Sequence, residues 1–271
     1  RALVAYEEAQ YLISEHFIDT FTMGNRRTVV GLRDASRHFE KNILTHAQVE
    51  RIAASCVGML EDNRGYLYFG LILLMTTGIT ISELCALTWG SFSFSKTYAG
   101  IIVVEIMAET KLVGDVYRIE ELNGPRRRTI PLPPAVAKFY HRVRDNAPNI
   151  QENAPFMRSF KNAARRIRPD EFDRWLKGFF KSFGFSKQPE LKSLTKNPER
   201  TLRATFRSAL ESCGCDADEI RYLYGSAPES VFARNYCAYD DPRELAKLAA
   251  VLDKYAISLT ETPVSYTHLR A

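Results

Sequence analysis

Hydrophobic residues recur at helical spacing over most of the chain. Thr45 and Gln48 have the spacing of a capping box and precede one such stretch. Residues 66–77 are almost uniformly apolar, which predicts a helix buried on most sides. A short helix is expected after Gly78, opened by the capping serine Ser82. Further helices are predicted over residues 3–18, 32–41, 134–145, 158–168, 170–183, 200–213, 216–224, 228–238 and 241–255.

A different pattern occupies the middle of the chain. Residues 92–94, 101–106, 115–121 and 128–132 are short β-branched or apolar segments bounded by turn residues, which predicts strands. A turn at residues 123–125 joins the last two. Helices on both sides of such a segment predict a mainly α fold with a small antiparallel β-sheet, an α+β arrangement.

Composition excludes several classes of protein. The 271 residues are 45% hydrophobic and 25% charged, as in folded soluble proteins rather than disordered chains. No apolar run reaches the ~18 residues that a membrane span requires, so no membrane contact is expected. Five scattered cysteines argue against a secreted disulfide scaffold and favour a reducing, cytoplasmic location. The histidines, cysteines and carboxylates show no metal-ligand spacing, so neither a metal nor a cofactor is expected.

Positive charge is unevenly distributed along the chain. The net charge is only +5, but residues 158–207 hold fourteen lysines and arginines against five acids. A second basic cluster covers residues 126–128. Clustered positive charge is typical of proteins that bind polyanions, because each neutralised phosphate releases condensed counterions. A solvated basic helix face explains one cluster equally well, but two clusters favour a nucleic-acid partner.

Four segments carry recognisable motifs. They are residues 71–89, residues 128–132, residues 201–206, and residues 223–226 with Tyr236 eleven positions after the glycine. In order and spacing these segments resemble the catalytic domain of the tyrosine recombinases, or phage integrases. The resemblance extends over about residues 40–255. Each motif alone is weakly specific, but all four in the correct order are hard to obtain by chance.

The resemblance implies a definite chemistry. A tyrosine oxygen attacks a phosphodiester of duplex DNA and forms a 3′-phosphotyrosyl bond, which conserves the energy for rejoining. Two arginines hold the non-bridging oxygens and stabilise the charge that develops on phosphorus. A lysine on a β-hairpin protonates the leaving oxygen, and histidines assist proton transfer. The family requires neither a metal nor a nucleotide.

The resemblance assigns a role to five positions. Tyr236 stands at the place of the nucleophile, and Arg203 at that of the second arginine. Thr80 stands where the first arginine is expected, and a hydroxyl cannot form a bidentate guanidinium clamp. Arg200 and Ser226 stand at the histidine positions, and an arginine binds phosphate without exchanging protons near neutral pH. Because removal of one preorganised donor typically lowers the rate by ~10²–10³, strand transfer is expected to be impaired.

The lysine of the β-hairpin is not at its expected place either. The family pattern puts it near Leu122 or Asn123, and the nearest lysine is Lys111. Glu83 is expected to be structural, either pairing with a basic neighbour or capping a helix. The segments that define the fold of the family are therefore better preserved in this chain than its catalytic residues.

Double-stranded DNA is therefore the expected partner, with self-association or a recombinase partner on DNA and no small-molecule substrate. Basic residues from both clusters are expected to contact DNA: Arg126, Arg127, Arg128, Arg165, Arg166, Lys196 and Arg207. Three functions are compatible with the sequence. The first is a site-specific recombinase of a mobile element, active or weakly active. The second is a catalytically dead relative that binds DNA or a recombinase partner, and the third is an unrelated basic helical protein.

The chain is expected to divide into three parts. Residues 1–43 are expected to be the end of an upstream helical DNA-binding domain and its linker. Residues 44–263 are expected to form the recombinase-like catalytic domain. Residues 264–271 resemble the translation of a sequencing adapter, so we expect them to be non-native.

Overall fold

The structure, a computed structural model, describes residues 43–94, 101–147, 150–182, 192–227 and 241–260. The chain separates into two compact units, residues 1–41 and residues 42–271, and all described residues belong to the second. Residues 3–18, 32–41 and 228–238, for which helices are predicted, lie outside the described part of the chain.

The described residues form helices and two small antiparallel sheets, which confirms the predicted fold class. The helices are α1 (His46–Val57), α2 (Gly65–Thr76), α3 (Ile81–Ala86), α4 (Pro134–Asp145), α5 (Pro169–Ser182), α6 (Lys192–Lys196), α7 (Pro198–Ser212), α8 (Ala217–Leu223) and α9 (Pro242–Thr260). The strands are β1 (Phe92–Phe94), β2 (Ile102–Ile106), β3 (Ala108–Val113), β4 (Val116–Glu121) and β5 (Arg128–Pro131). Among these helices none is long and apolar enough to cross a membrane.

The capping prediction is confirmed for α1 and wrong for α3. Thr45 and Gln48 form a reciprocal capping box at the start of α1. The residue that caps α3 is Thr80 and not Ser82: its hydroxyl accepts a hydrogen bond from the Glu83 amide at 3.1 Å. The Glu83 carboxylate accepts one from the Thr80 amide at 2.9 Å in return. A threonine with a glutamate three residues later satisfies two orphan amides at once, and Ser82 lies inside the resulting helix.

The two sheets are separate. Strands β1, β2 and β5 form a three-stranded sheet in that order, in which Val104 of β2 lies between Phe92 of β1 and Ile130 of β5. Strands β3 and β4 form a hairpin of their own, closed by a turn at Gly114. The sequence pattern does not predict β3, because its residues alternate only weakly between polar and apolar and its end is exposed.

The prediction of a helix over residues 158–168 is wrong. This segment is a loop closed by an isolated bridge between Arg158 and Arg166. Within it the Asn162 side chain accepts a hydrogen bond from the Ala164 amide at 2.9 Å, a local turn that competes with helical hydrogen bonding. The short helix α6 is an element that the pattern does not predict.

The core forms around α2, which is buried on nearly all sides as predicted. Phe69 of α2 contacts Phe156 edge to face, with 5.9 Å between ring centroids, and Phe92 of β1 stacks on Tyr140 of α4 at 4.7 Å. Helix α9 packs against α1, α4, α7 and β5. Helix α7 packs against α2, and this contact places the turn between α2 and α3 beside α7.

Candidate functional site

Helix α7 holds the segment that precedes α3. The Arg203 Nη1 donates a hydrogen bond to the Gly78 carbonyl, and the Glu199 carboxylate lies close enough to the Ile81 amide for that amide to oppose the rise of its pKa. Thr80 lies between these two attachment points and is partly exposed. Gly78 has φ +68°, and a Cβ there would approach Tyr224 to 3.1 Å and Phe206 to 3.2 Å, so the turn requires glycine. The structure thus places the Arg203 guanidinium against the turn that precedes Thr80. We name the region around Arg203, Thr80 and Glu199 the Arg203 site.

The Arg203 guanidinium is partly buried and lies 4.6 Å above the ring of Tyr224. The Tyr224 hydroxyl donates a hydrogen bond to the Arg203 carbonyl. Burial raises the pKa of Tyr224, which keeps the phenol neutral near pH 7. Burial also lowers the pKa of Arg203, although nearby Tyr224 and Glu83 oppose the shift. An arginine pKa remains far above neutrality in such surroundings, so Arg203 is a fixed cation.

Arg128 is buried, so its side chain is not available for the DNA contact expected from the sequence. Its side chain is 0% exposed, and its Nη1 and Nη2 donate to the two carboxylate oxygens of Glu83 at 2.9 and 3.0 Å. Its Nε donates to the Leu223 carbonyl at 2.9 Å, and its Nη1 also to that of Arg126 at 2.9 Å. The expectation that Glu83 is structural agrees with both of its contacts. Burial opposes ionisation of Glu83, but the hydrogen bond and charge of Arg128 outweigh it and lower the pKa of that carboxyl.

The hairpin offers no lysine at the expected place. Leu122 is buried, with 2% of its surface exposed, and Asn123 is exposed. Lys111, the alternative, is exposed on β3 and forms an ion pair with Glu120 of β4 at 2.9 Å. The Glu120 carboxylate raises the pKa of Lys111.

The remaining catalytic positions are only partly described. Arg200 is exposed in the first turn of α7. Ser226 is exposed just beyond α8, and Gly225 before it lies against Arg128, whose Nη1 would be 2.8 Å from an added Cβ. Tyr236 lies outside the described residues. Its role remains a prediction from the resemblance.

The other basic residues expected to contact DNA differ in availability. Arg127, Arg165 and Lys196 are exposed. Arg126 is held by Glu109 through two hydrogen bonds, of 2.9 and 2.6 Å, and Arg207 by Glu211 at 3.0 Å.

Arg166 has a structural contact that the sequence does not reveal. Its Nη1 donates hydrogen bonds to the carbonyls of Ala86 at 2.6 Å and Leu87 at 2.7 Å, which close the end of α3. A cation at the C-terminal end of a helix also interacts favourably with the helix dipole. Part of the positive charge counted in the basic tract therefore stabilises the fold.

A large open cavity borders the 158–168 loop and the start of α5, and we name it the basic cleft. Its volume is about 610 Å³, and six cations line it against a single acid, Glu171. The cations are Arg64, Lys161, Arg165, Arg166, Arg168 and Arg174. Arg64, Arg168 and Arg174 are absent from the sequence-based DNA contacts. Arg64 lies almost a hundred residues before the others, and only the fold brings it into the cleft.

The aromatic rings beside the basic cleft are occupied by protein. Arg64 lies 5.2 Å over the ring of Phe160, and Trp175 stacks between Phe172 and Phe179 at 5.3 and 5.6 Å. Because other side chains cover these ring faces, a nucleic-acid base has no free ring on which to stack. The exposed cations of the cleft are better suited to a sugar–phosphate backbone. Within the described residues, no group of three or more histidines, cysteines or carboxylates is close enough to hold a metal ion.

Comparison with known proteins identifies similar structures but no similar sequences. No protein-family model and no curated protein matches the chain. The solved structures that match include two of the Tn1549 transposon integrase. One, in complex with a circular intermediate DNA, has a TM-score of 0.50 and 23% identity, over 68% of this chain and 57% of that one. The other, in complex with transposon right end DNA, has a TM-score of 0.53 and 21% identity, over 77% and 66%.

The chain has an integrase fold. The resemblance inferred from four motifs is thereby confirmed at the level of fold. The chain spans less than two thirds of the length of the integrases that it matches. At 21–23% identity the likeness establishes architecture alone, and the activity has to be argued from the residues of this chain.

Proposed function

We propose that this integrase-fold chain binds double-stranded DNA as an integrase-like protein of a mobile element and that its strand transfer is impaired. The observation that carries the proposal is the segment around Thr80. A hydroxyl that caps α3 stands where a guanidinium is needed, while Arg203 is the partly exposed cation beside it. The Tn1549 integrases of similar fold are seen in complex with DNA, which supports the choice of ligand.

The chemistry would depend on few groups. Tyr236 would attack the phosphodiester, and Arg203, with Arg200 in the same helix, would hold the non-bridging oxygens. Nothing at Leu122 can protonate the leaving oxygen, and Ser226 cannot exchange protons as a histidine does. Lack of one preorganised cation alone lowers the rate by roughly 10²–10³, so a slow or absent reaction is expected.

Two alternatives to this proposal have different standing. A catalytically dead relative that binds DNA, or a recombinase partner on DNA, would have the same fold and the same basic cleft. Only a test of covalent chemistry separates it from a slow recombinase. The second alternative, an unrelated basic helical protein, is disfavoured by the shared fold. Self-association on DNA and a cytoplasmic location remain part of the proposal.

A nicked DNA duplex that traps the covalent intermediate tests the proposal. The wild-type chain is expected to bind the duplex with an affinity that falls steeply with salt, and to form little or no covalent band. A strong band that disappears in Tyr236→Phe would contradict impaired catalysis. Lack of salt-dependent binding to any duplex would contradict the DNA-binding proposal itself.

A further inference from the structure

Two side chains of α7 lie on either side of Thr80. Glu199 and Arg203 are four residues apart, so they share one face of the helix. Arg203 donates a hydrogen bond to the Gly78 carbonyl, and Glu199 lies close to the Ile81 amide. An acid thus lies next to the position where the integrase pattern calls for a cation.

The charges that act on Glu199 come from three helices. Arg203 of α7 attracts it, Glu83 of α3 and Asp173 of α5 repel it, and the Cys85 thiol of α3 lies close enough to be affected. Glu83 is neutralised by Arg128, and Asp173 pairs with Lys177 at 2.5 Å. Arg203 has no carboxylate bonded to it among the described contacts, so Glu199 and any incoming phosphate share the same cation.

We propose that Glu199 is an internal competitor that weakens the binding of a DNA phosphate at Arg203, and that DNA affinity rises when Glu199 loses its charge. This inference rests on the proposed DNA-binding function and adds a regulating group to it. A phosphate oxygen within reach of Arg203 meets the Glu199 carboxylate one helical turn away, and like charges at that distance repel. The competition operates on binding and requires no chemical step.

Protonation would relieve the competition. Burial raises the pKa of Glu199 above its ordinary value, although Arg203 and the Ile81 amide oppose the shift. The phosphodiester keeps its charge in the range where the carboxyl becomes neutral. DNA binding at this site is therefore expected to tighten as the pH falls toward the raised pKa.

The test compares two substitutions that each neutralise one acid. Glu199→Gln removes the charge beside Arg203. Glu152→Gln removes the same charge from an exposed position between α4 and α5, away from the residues expected to contact DNA. Binding of a labelled DNA duplex is measured for the wild type and both variants at about pH 7.5 and about pH 5. At the higher pH, Glu199→Gln is expected to bind roughly tenfold more tightly than Glu152→Gln. Its affinity should also depend less on pH than that of the wild type or Glu152→Gln.

Each outcome decides a separate point. If the two variants bind equally while the wild type binds DNA, the competitor proposal is wrong and the DNA-binding proposal stands. If none of the three binds, the proposed function fails.

The melting temperature provides a second control. Because the pKa of Glu199 is raised in the folded protein, its ionised form lowers the stability of the fold as the pH rises through that pKa. Glu199→Gln should therefore not lower the melting temperature near neutral pH. A marked drop, or failure to fold, would make Glu199 a structural cap of α3 and overturn the inference.

Discussion

The Arg203 site and the basic cleft lie at opposite ends of α3 and use their arginines differently. At the start of α3, Arg128 and Arg203 donate to protein carbonyls or a carboxylate, and an acid lies beside them. At its end, Arg166 is tied to the helix and Arg168 and Arg174 pair with Asp170 at 3.2 and 3.4 Å, while Lys161 and Arg165 are exposed to solvent. The arginines of the first region are held by groups of the protein, whereas most cations of the cleft are exposed to solvent.

On the proposed function, this difference separates DNA binding from catalysis, two functions that usually occur together in a DNA-cutting enzyme. Affinity for the backbone depends on exposed cations, and such cations are abundant in the basic cleft. Catalysis depends on preorganised cations around one phosphate, and these are depleted around Thr80. Net charge does not distinguish the two arrangements, because a buried, paired arginine and an exposed one count equally in the sequence. Substitutions that affect one region and spare the other test the contrast.

The largest effect is expected for Arg128→Ala. The substitution leaves Glu83 buried without its partner, and breaking a buried ion pair from one side typically lowers the free energy of unfolding by about 3–5 kcal/mol. Arg127→Ala, at the adjacent exposed position, is the matched control and should change it by no more than ~0.5 kcal/mol. Denaturant unfolding measures both. Equal effects would show that Arg128 is not the buried ion-pair partner seen in the fold.

An intermediate effect is expected in the basic cleft. The double variant Lys161→Gln/Arg165→Gln removes two exposed cations and should lower DNA affinity by about tenfold at moderate salt. It should also reduce the slope of log affinity against log salt by roughly 1–2. Stability should be unchanged, since neither side chain is buried.

The control for the cleft is Arg243→Gln, an exposed arginine of α9 that does not line the cavity. It changes the net charge by one without altering the cleft. A loss of affinity per charge as large as that of the double variant would mean that net charge, and not the cleft, determines binding.

A smaller effect is expected for Thr80→Ala. Loss of an N-cap side chain lowers the free energy of unfolding by about 0.5–2 kcal/mol, and here the amide of Glu83 loses its acceptor. Ser82→Ala, two residues on and inside α3, should change it by a few tenths of a kcal/mol at most. Thermal unfolding of the two variants shows which residue caps the helix. A larger loss of stability for Ser82→Ala than for Thr80→Ala would mean that Ser82 caps α3.

The sequence predicts features whose signals are local. The capping box at Thr45 and the apolar run of α2 each depend on neighbouring residues, and both are confirmed. The same holds for the mainly helical fold with its small antiparallel sheet. The loop at 158–168 was predicted as a helix because side-chain hydrogen bonds such as that of Asn162 do not alter hydrophobic spacing.

Roles that depend on distant partners could not be predicted in the same way. Arg128 has the appearance of a surface residue within three consecutive arginines, yet β5 turns it inward on the same face as Ile130. That alternation was the available signal, but its partner Glu83 is 45 residues away. The contacts of Arg166 with α3 and of Arg64 with the basic cleft span similar gaps. For Glu199 the sequence holds only a weak signal, namely that an acid stands one helical turn before Arg203 of a recognised motif.

The cap at position 80 has an evolutionary consequence. Threonine suits the N-cap position of α3 because its hydroxyl accepts a hydrogen bond from a backbone amide of the helix, whereas arginine has no acceptor atom in its side chain. An arginine introduced at position 80 would therefore begin with a loss of about 1 kcal/mol in stability, and its guanidinium would lie near Glu199. Proteins near their stability threshold tolerate such losses poorly. On the proposed function, efficient strand transfer would need several substitutions in a particular order, with removal of the acid ahead of introduction of the cation.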